Sequence, residues 1–452
     1  MEYMDKEGYP LKPGDDLLAS LSAASTQNNA ADNTTEKKQP QQLYQSVYPQ
    51  HVQDRIDAFV DSTQKVPSWV DMEQLKRGQS VFLRFVPAMS VSLYYRSLCA
   101  GFAIPKIAAV ILSTGYLAPP STPEQVAFRL VDTGALLNAC MGHGGVDSLL
   151  PAGVGGEGWK ICLHVRILHA KVRHTLLRRQ GKRAWKTSEY GIPINQEDMA
   201  ATLLAFSINT LLGVEYLGGV ELSRQNQEDY IALWRYVGWL LGVDTETSDT
   251  ETTTRRLPFL DPCGPGWDKS KPNPIEHSKC MLQSTIMHLM KPDRSSVIVS
   301  HHLLKIGRPK RDDKVKGSSE KNDVVVTKQT KGVEKKKQDS SMDLWFYFRA
   351  LACRHFIGNP LADALELPLH PVPYKRVFLS CGVAVYLWIF RIMTWVALWE
   401  FGGRRLEQYF LGLMGRFHSI WTERHPTRMA KALKVQSCCP FAMVTNQGEE
   451  EE

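Results

Sequence analysis

The sequence lacks the local signatures of several common chemistries. No CxxC spacing occurs among its nine cysteines, so neither a zinc site nor a disulfide framework is indicated. No HExxH pair, EF-hand loop or ExxH pair suited to a di-iron bundle is present. A Walker A loop and a GxSxG nucleophile turn are also missing. No run of alternating apolar and polar residues reads as a strand, which leaves an all-α chain. The opening "MEYMDKEGYPLKPGDD" has no apolar h-region, so no secretory signal is expected. A reduced, cytoplasmic-side setting follows as the expectation for its thiols.

What is present is an ordinary apolar content and an uneven charge. Apolar residues make up 43 % of the 452 residues, enough for a sizeable core. Much of the net charge of +7 sits in the lysine-rich run 305–337, so charge says little about partners of the folded part. No aromatic residue interleaves those lysines, and no specific nucleic-acid partner is expected. Residues 1–62 are poor in large apolar side chains and read as disordered. The run 303–341 reads as a solvated, disordered insertion. The glutamate-rich tail completes a C-terminal segment 403–452, a helix followed by disorder.

Between these segments, helix signals follow one another. Thr122 is placed as an N-cap, with Pro123 at the first helical position and Gln125 at the capping-box position. Asn195 with Asp198, and Asn226 with Asp229, suggest two more N-termini. Gly358 reads as a C-terminal stop. The Gly-rich stretch 142–158 joins two expected helices, follows no strand, and reads as a connection. Residues 377–401 are apolar over a length that could span a bilayer, but Arg391 interrupts them. A buried or interfacial helix is therefore favoured, with Trp388, Trp395 and Trp399 suited to a membrane surface.

The chemistry gathers on "WKICLHVRILHAKVRHTLLRRQ", residues 159–180. At about 100° per residue, Arg166, His169 and Arg173 fall within an arc of roughly 60°. His164 points to nearly the opposite side and His174 lies off the arc, so the three histidines form no single metal cluster. In "RLVDTG", Arg129, Asp132 and Thr133 share a face in the same way. From one helix alone, a solvated polar face explains the stripe as well as a site does. Two mostly apolar helices with compact polar stripes are harder to bury, unless both face a common polar object. A haem, with an imidazole ligand and arginines beside its propionates, is one such object.

The stretches "RLVDT" and "RILHAKVR", followed by "GIPINQEDMAATLLAFS", "YIALWRYVGWLLGV" and "RHFIGNPLADALELP", resemble the latex clearing protein or rubber oxygenase family. That family includes the ER-bound oxygenases of fungal meroterpenoid biosynthesis. The resemblance covers roughly residues 80–370, and the catalytic domain is expected over 66–402. It implies a globin-like, all-helical core around a b-type haem. His169 would be the iron ligand, flanked by Arg166 and Arg173, with Arg129, Asp132 and Thr133 on the distal side. It also implies oxidation of a hydrophobic, isoprenoid-like substrate by dioxygen; some members are bound to the endoplasmic reticulum, but no N-terminal transmembrane helix is evident here to secure that attachment. Asp132 departs from members that carry lysine there, which leaves substrate and outcome open. Two other classes are carried forward. One is a haem protein without turnover, such as a sensor or carrier; the other is a helical interaction protein without cofactor.

Overall fold

The computed structural model describes Phe59 and residues 62–142, 144–151, 156–181, 184–243, 274–306 and 344–424. Every regular element among them is helical, as expected from the sequence. Most of the N-terminal segment, the lysine-rich run beyond Ile306 and the glutamate-rich tail lie outside the described residues.

Helix α1 (Met72–Arg84) is capped by Asp71, whose side chain accepts from the Glu73 and Gln74 amides. It leads into α2 (Val86–Ser92), which continues through a π-helical turn at Leu93–Leu98. Helix α3 (Pro105–Thr114) ends at Gly115, whose φ of 62° supplies the left-handed stop. Helix α4 (Pro123–Met141) carries the expected capping box: Thr122 accepts from the Gln125 amide, and Gln125 reaches back. A 3₁₀ turn, Gly145–Leu149, leads to α5 (Glu157–Arg178), the histidine helix. The glycines from Gly153 to Gly158 happen to fall at GxGxxG spacing, but they follow this turn and not a strand. They therefore lack the strand-to-helix context that such a phosphate loop needs.

Helices α6 (Gln196–Phe206) and α7 (Ile208–Gly218) follow, with Asn195 and Asp198 forming a reciprocal cap on α6. Helix α8 (Arg224–Leu240) starts earlier than the sequence signal placed it. Ser223 is its cap and accepts from the Asn226 amide, so Asn226 is already inside the first turn. Asp229 is not an exposed first-turn acid but a buried partner of Arg77, which donates to both of its oxygens at 2.9 and 3.1 Å. This ion pair ties α1 to α8, whose backbones meet closely at Gly78. A Cβ on Gly78 would lie 2.4 Å from the Asp229 carbonyl oxygen. The buried Tyr230, Trp234 and Tyr236 of α8 make this pair the centre of the apolar core.

Helix α9 (Pro274–Leu289) packs on α8, α10 (Arg294–Leu304) packs on α3, and α11 (Leu344–Ile357) packs on the π-helical turn after α2. Gly358, at φ 81°, ends α11. Two long helices close the described chain, α12 (Pro373–Leu398) and α13 (Glu400–Arg424). The α6–α7 stretch and α12 are each long and apolar enough to cross a membrane, but they differ in setting. The first is mostly buried inside the fold and belongs to the core. The second is mostly exposed.

Candidate functional site

Helices α4 and α5 form the scaffold of the site. Gly158 sits against the Ala139 carbonyl, where a Cβ would come within 2.8 Å. Ala135, Ala139 and Ile161 form a small apolar cluster, with Val131 and Val165 packed against it. Later residues of α4 thus face earlier residues of α5, and the helices run antiparallel. The Cys140 and Cys162 sulfurs, 3.6 Å apart, lie in the same buried seam. Small side chains allow this close approach, and it brings the two polar stripes to one level of the pair.

On α5, the three stripe residues are half-buried. Arg173 donates through Nε to the Pro193 carbonyl at 3.1 Å, and through its terminal nitrogen to the Ile194 carbonyl. Ile194 is held at φ 54°, a conformation that side chains other than glycine rarely adopt. Arg166 lies over the Phe59 ring, 4.9 Å from its centroid, and against Gly242. Burial lowers the pKa of both arginines without removing their charge. Between them, the Nδ1 atom of His169 is sealed from solvent and has no hydrogen-bond partner. Burial, aided by the charge of Arg173, pushes the His169 pKa from 6.5 down to about 4. The imidazole is therefore neutral at neutral pH. His164, which the helical geometry directs elsewhere, is also lowered to about 4, by burial and then by Lys171.

On α4, the Thr133 hydroxyl donates back to the Arg129 carbonyl at 3.3 Å. Arg129 turns its guanidinium over the 115–121 loop. It donates to the carbonyls of Gly115 and Tyr116 and, at 2.6 Å, to the Ser121 hydroxyl. Its charge also sits 5.0 Å from the Tyr116 ring centroid. Asp132 has one oxygen buried and lies near Tyr116. The Tyr116 pKa rises to about 12, chiefly through burial and then through the Asp132 charge, with Arg129 opposing.

Two residues at this end carried no sequence signal. Tyr116 is brought in by the α3–α4 connection. His302 on α10 comes close enough to Ser121 and Arg129 for both to act on its pKa, which burial lowers. Only the packing of α10 against α3 and α4 places it there. Neither residue is close to Arg129 in a recognisable motif, so no spacing rule would have found them.

Among the described residues, no three His, Cys, Asp or Glu side chains converge on a point that could hold a metal ion. A porphyrin brings its own equatorial nitrogens and asks the protein for one axial ligand. A single neutral, half-buried histidine between two arginines fits that need.

Residues 123–257 match the family model described as ER-bound oxygenase mpaB/B'/Rubber oxygenase, catalytic domain. The match covers less than a third of the chain. The match starts at the first residue of α4 and contains both polar stripes. The solved structure of latex clearing protein in its closed state is similar at a TM-score of 0.46 and 16 % identity, covering 89 % of this chain and 91 % of that one. Comparison with curated proteins gives no match.

Proposed function

We propose that this protein is a haem b-dependent oxygenase acting with dioxygen on a hydrophobic, isoprenoid-like substrate. The observation that carries the reading is His169: neutral, partly buried, with a sealed and unpartnered nitrogen, set between Arg166 and Arg173 in a segment of oxygenase family. His169 would hold the haem iron, and Arg166 and Arg173 would hold its carboxylates. When bound, the haem supplies the redox chemistry with dioxygen. The chain itself supplies orientation and electrostatics. Burial keeps a lone pair on His169 free of protons. The carbonyls of Pro193 and Ile194 fix the Arg173 guanidinium, and Phe59 and Gly242 fix that of Arg166. On α4, Asp132 is the group positioned to hold or pass a proton, with Thr133 beside it and Arg129 setting the local field. The catalytic domain is assigned to 66–402.

One observation favours a second reading, a haem protein without turnover. Arg129 already spends three hydrogen bonds on the 115–121 loop, which is the work of a structural clamp. Two measurements on one preparation separate the readings. An absorption spectrum with a Soret band that is lost in His169→Ala supports haem ligation; a parent protein expressed with ample haem and showing no Soret band refutes it. Oxygen consumption with a polyisoprenoid then distinguishes an oxygenase from a carrier or sensor.

A further inference from the structure

Helix α12 turns its apolar side outward. Leu379, Val383, Thr394 and Ala397 are its buried residues, and they are spread along nearly its whole length. Further contacts follow the same inner side. Gly382 meets Phe348 of α11, and Tyr386 packs edge-on to both Phe348 and Tyr95. At the border between the inner and outer sides, the half-exposed Trp395 indole donates to the Gly218 carbonyl at 2.8 Å. The inner side of α12 is thus joined to the rest of the fold from Leu379 to Ala397.

The opposite side carries Phe378, Val385, Trp388, Ile389, Val396 and Trp399, all exposed. At about 100° per residue these lie within an arc of roughly 120°. No charged residue falls in that arc between Val377 and Trp399, a rise of roughly 33 Å. The one charge within this stretch, Arg391, sits at its edge. It donates through Nε to the Leu217 carbonyl at 2.9 Å, at the C-terminal end of α7, where a cation is favoured. Basic residues flank the face: Lys375 and Arg376 before it, Arg404 and Arg405 after it. Between His370 and Arg405, Glu400 is the only acid. Arg405 lies over the ring of exposed Phe401, 4.8 Å from its centroid.

We infer that the outer face of α12 is a membrane-docking surface, lying in the plane of a phospholipid leaflet with Trp388 and Trp399 among the acyl-chain ends nearest the headgroups. Three features point to lipid over a protein partner. The face is uncharged over the length of the helix, it carries tryptophans, which concentrate at bilayer interfaces, and its cations lie at its ends, where anionic headgroups would meet them. The inference stands independently of haem binding.

The test uses the full-length protein and sedimentation with phosphatidylcholine vesicles, with and without phosphatidylserine. The parent is expected to sediment with both, more strongly with phosphatidylserine, and to keep part of its binding at high salt. Val385→Glu combined with Trp388→Glu should lower the bound fraction at least about tenfold, because each charge would have to enter the apolar layer. Met287→Glu, a change at an exposed methionine outside this face, should bind like the parent. Circular dichroism and thermal midpoints like those of the parent are expected of both variants, since all three positions are exposed. Should the double variant fail to fold, Trp388→Ala and Trp399→Ala, read by loss of tryptophan quenching from bromine-labelled lipid, give the same comparison. Absence of sedimentation with either vesicle, or equal binding by parent and double variant, overturns the inference. So does a lipid-free dimer that the double variant dissolves, which would make a second copy the occupant.

Discussion

The buried imidazole on α5 makes a prediction about acid stability. In the unfolded chain a histidine titrates near 6.5; in the fold His169 titrates at about 4. Above pH 6.5 it is neutral in both states and costs nothing. As pH falls below 6.5 the unfolded state takes up the proton first, so stability is lost progressively until the folded pKa is reached. The full displacement from 6.5 to about 4 corresponds to roughly 3 kcal/mol, and at pH 5 to roughly 2 kcal/mol. Because the ring is half-buried, solvent screening brings the expected loss at pH 5 to about 1–2 kcal/mol. The assay is urea unfolding of the haem-free protein at pH 7 and pH 5, for the parent, His169→Gln and His164→Gln. Glutamine cannot titrate, so each variant should lose about 1–2 kcal/mol less than the parent between the two pH values. Acid effects from other groups cancel in that difference. Haem affinity then separates the two histidines, since only His169→Gln should weaken it. Equal acid losses in parent and His169→Gln would mean that the imidazole is hydrated, and the argument for a neutral ligand held by burial would fail.

Three further outcomes are expected. His169→Ala should lose most of its Soret absorbance while His164→Ala retains it; equal loss in both would reassign the ligand. Arg129→Ala should release the 115–121 loop and lower stability by about 1–3 kcal/mol, read as a lower urea midpoint and faster amide exchange at Gly115–Ser121. Gly242→Ala places a Cβ 2.6 Å from the Arg166 Nε on a backbone at φ 86°, so it should cost about 1–2 kcal/mol in stability and weaken haem retention less than His169→Ala does. An unchanged melting temperature in Gly242→Ala would show that Arg166 is free to move.

Much of the fold was legible because its signals are local. The boxes at Thr122–Gln125 and Asn195–Asp198 need only residues three apart, and both appear as read. The start of α8 was misplaced because Ser223 and Asn226, both able to cap, stand three residues apart and only one can be the cap. Asp229 was misread for a deeper reason: its partner Arg77 is 152 residues away, and nothing near Asp229 announces it. Arg391 shows the same limit. In sequence it interrupts an apolar run, whereas in the fold it reaches sideways to the end of α7. The stripes on α4 and α5 were visible as helical faces, but what each side chain touches was not. That Arg129 is bound to a loop, and that Tyr116 and His302 join it, depends on how α3, α4 and α10 pack.

The contrast among the three stripe residues of α5 bears on why the helix keeps them. A polar group on a mostly apolar helix is tolerated when the fold meets its hydrogen bonds. Arg173 has carbonyls to donate to, and Arg166 has an aromatic face beneath it. His169 has neither at Nδ1, and a buried nitrogen left without a partner costs about 1–3 kcal/mol. Were the stripe only structural, an apolar residue at 169 would remove that cost and pack at least as well. A haem-ligand role at 169, as proposed, would account for keeping an imidazole there: the neighbouring arginines are anchored, and burial keeps the ring neutral. On the proposed reading, the same feature would make His169 a source of instability in the haem-free protein and of affinity in the loaded one. A non-titrating replacement of similar size at 169 should therefore lose less stability between pH 7 and pH 5 in the haem-free fold while weakening haem retention.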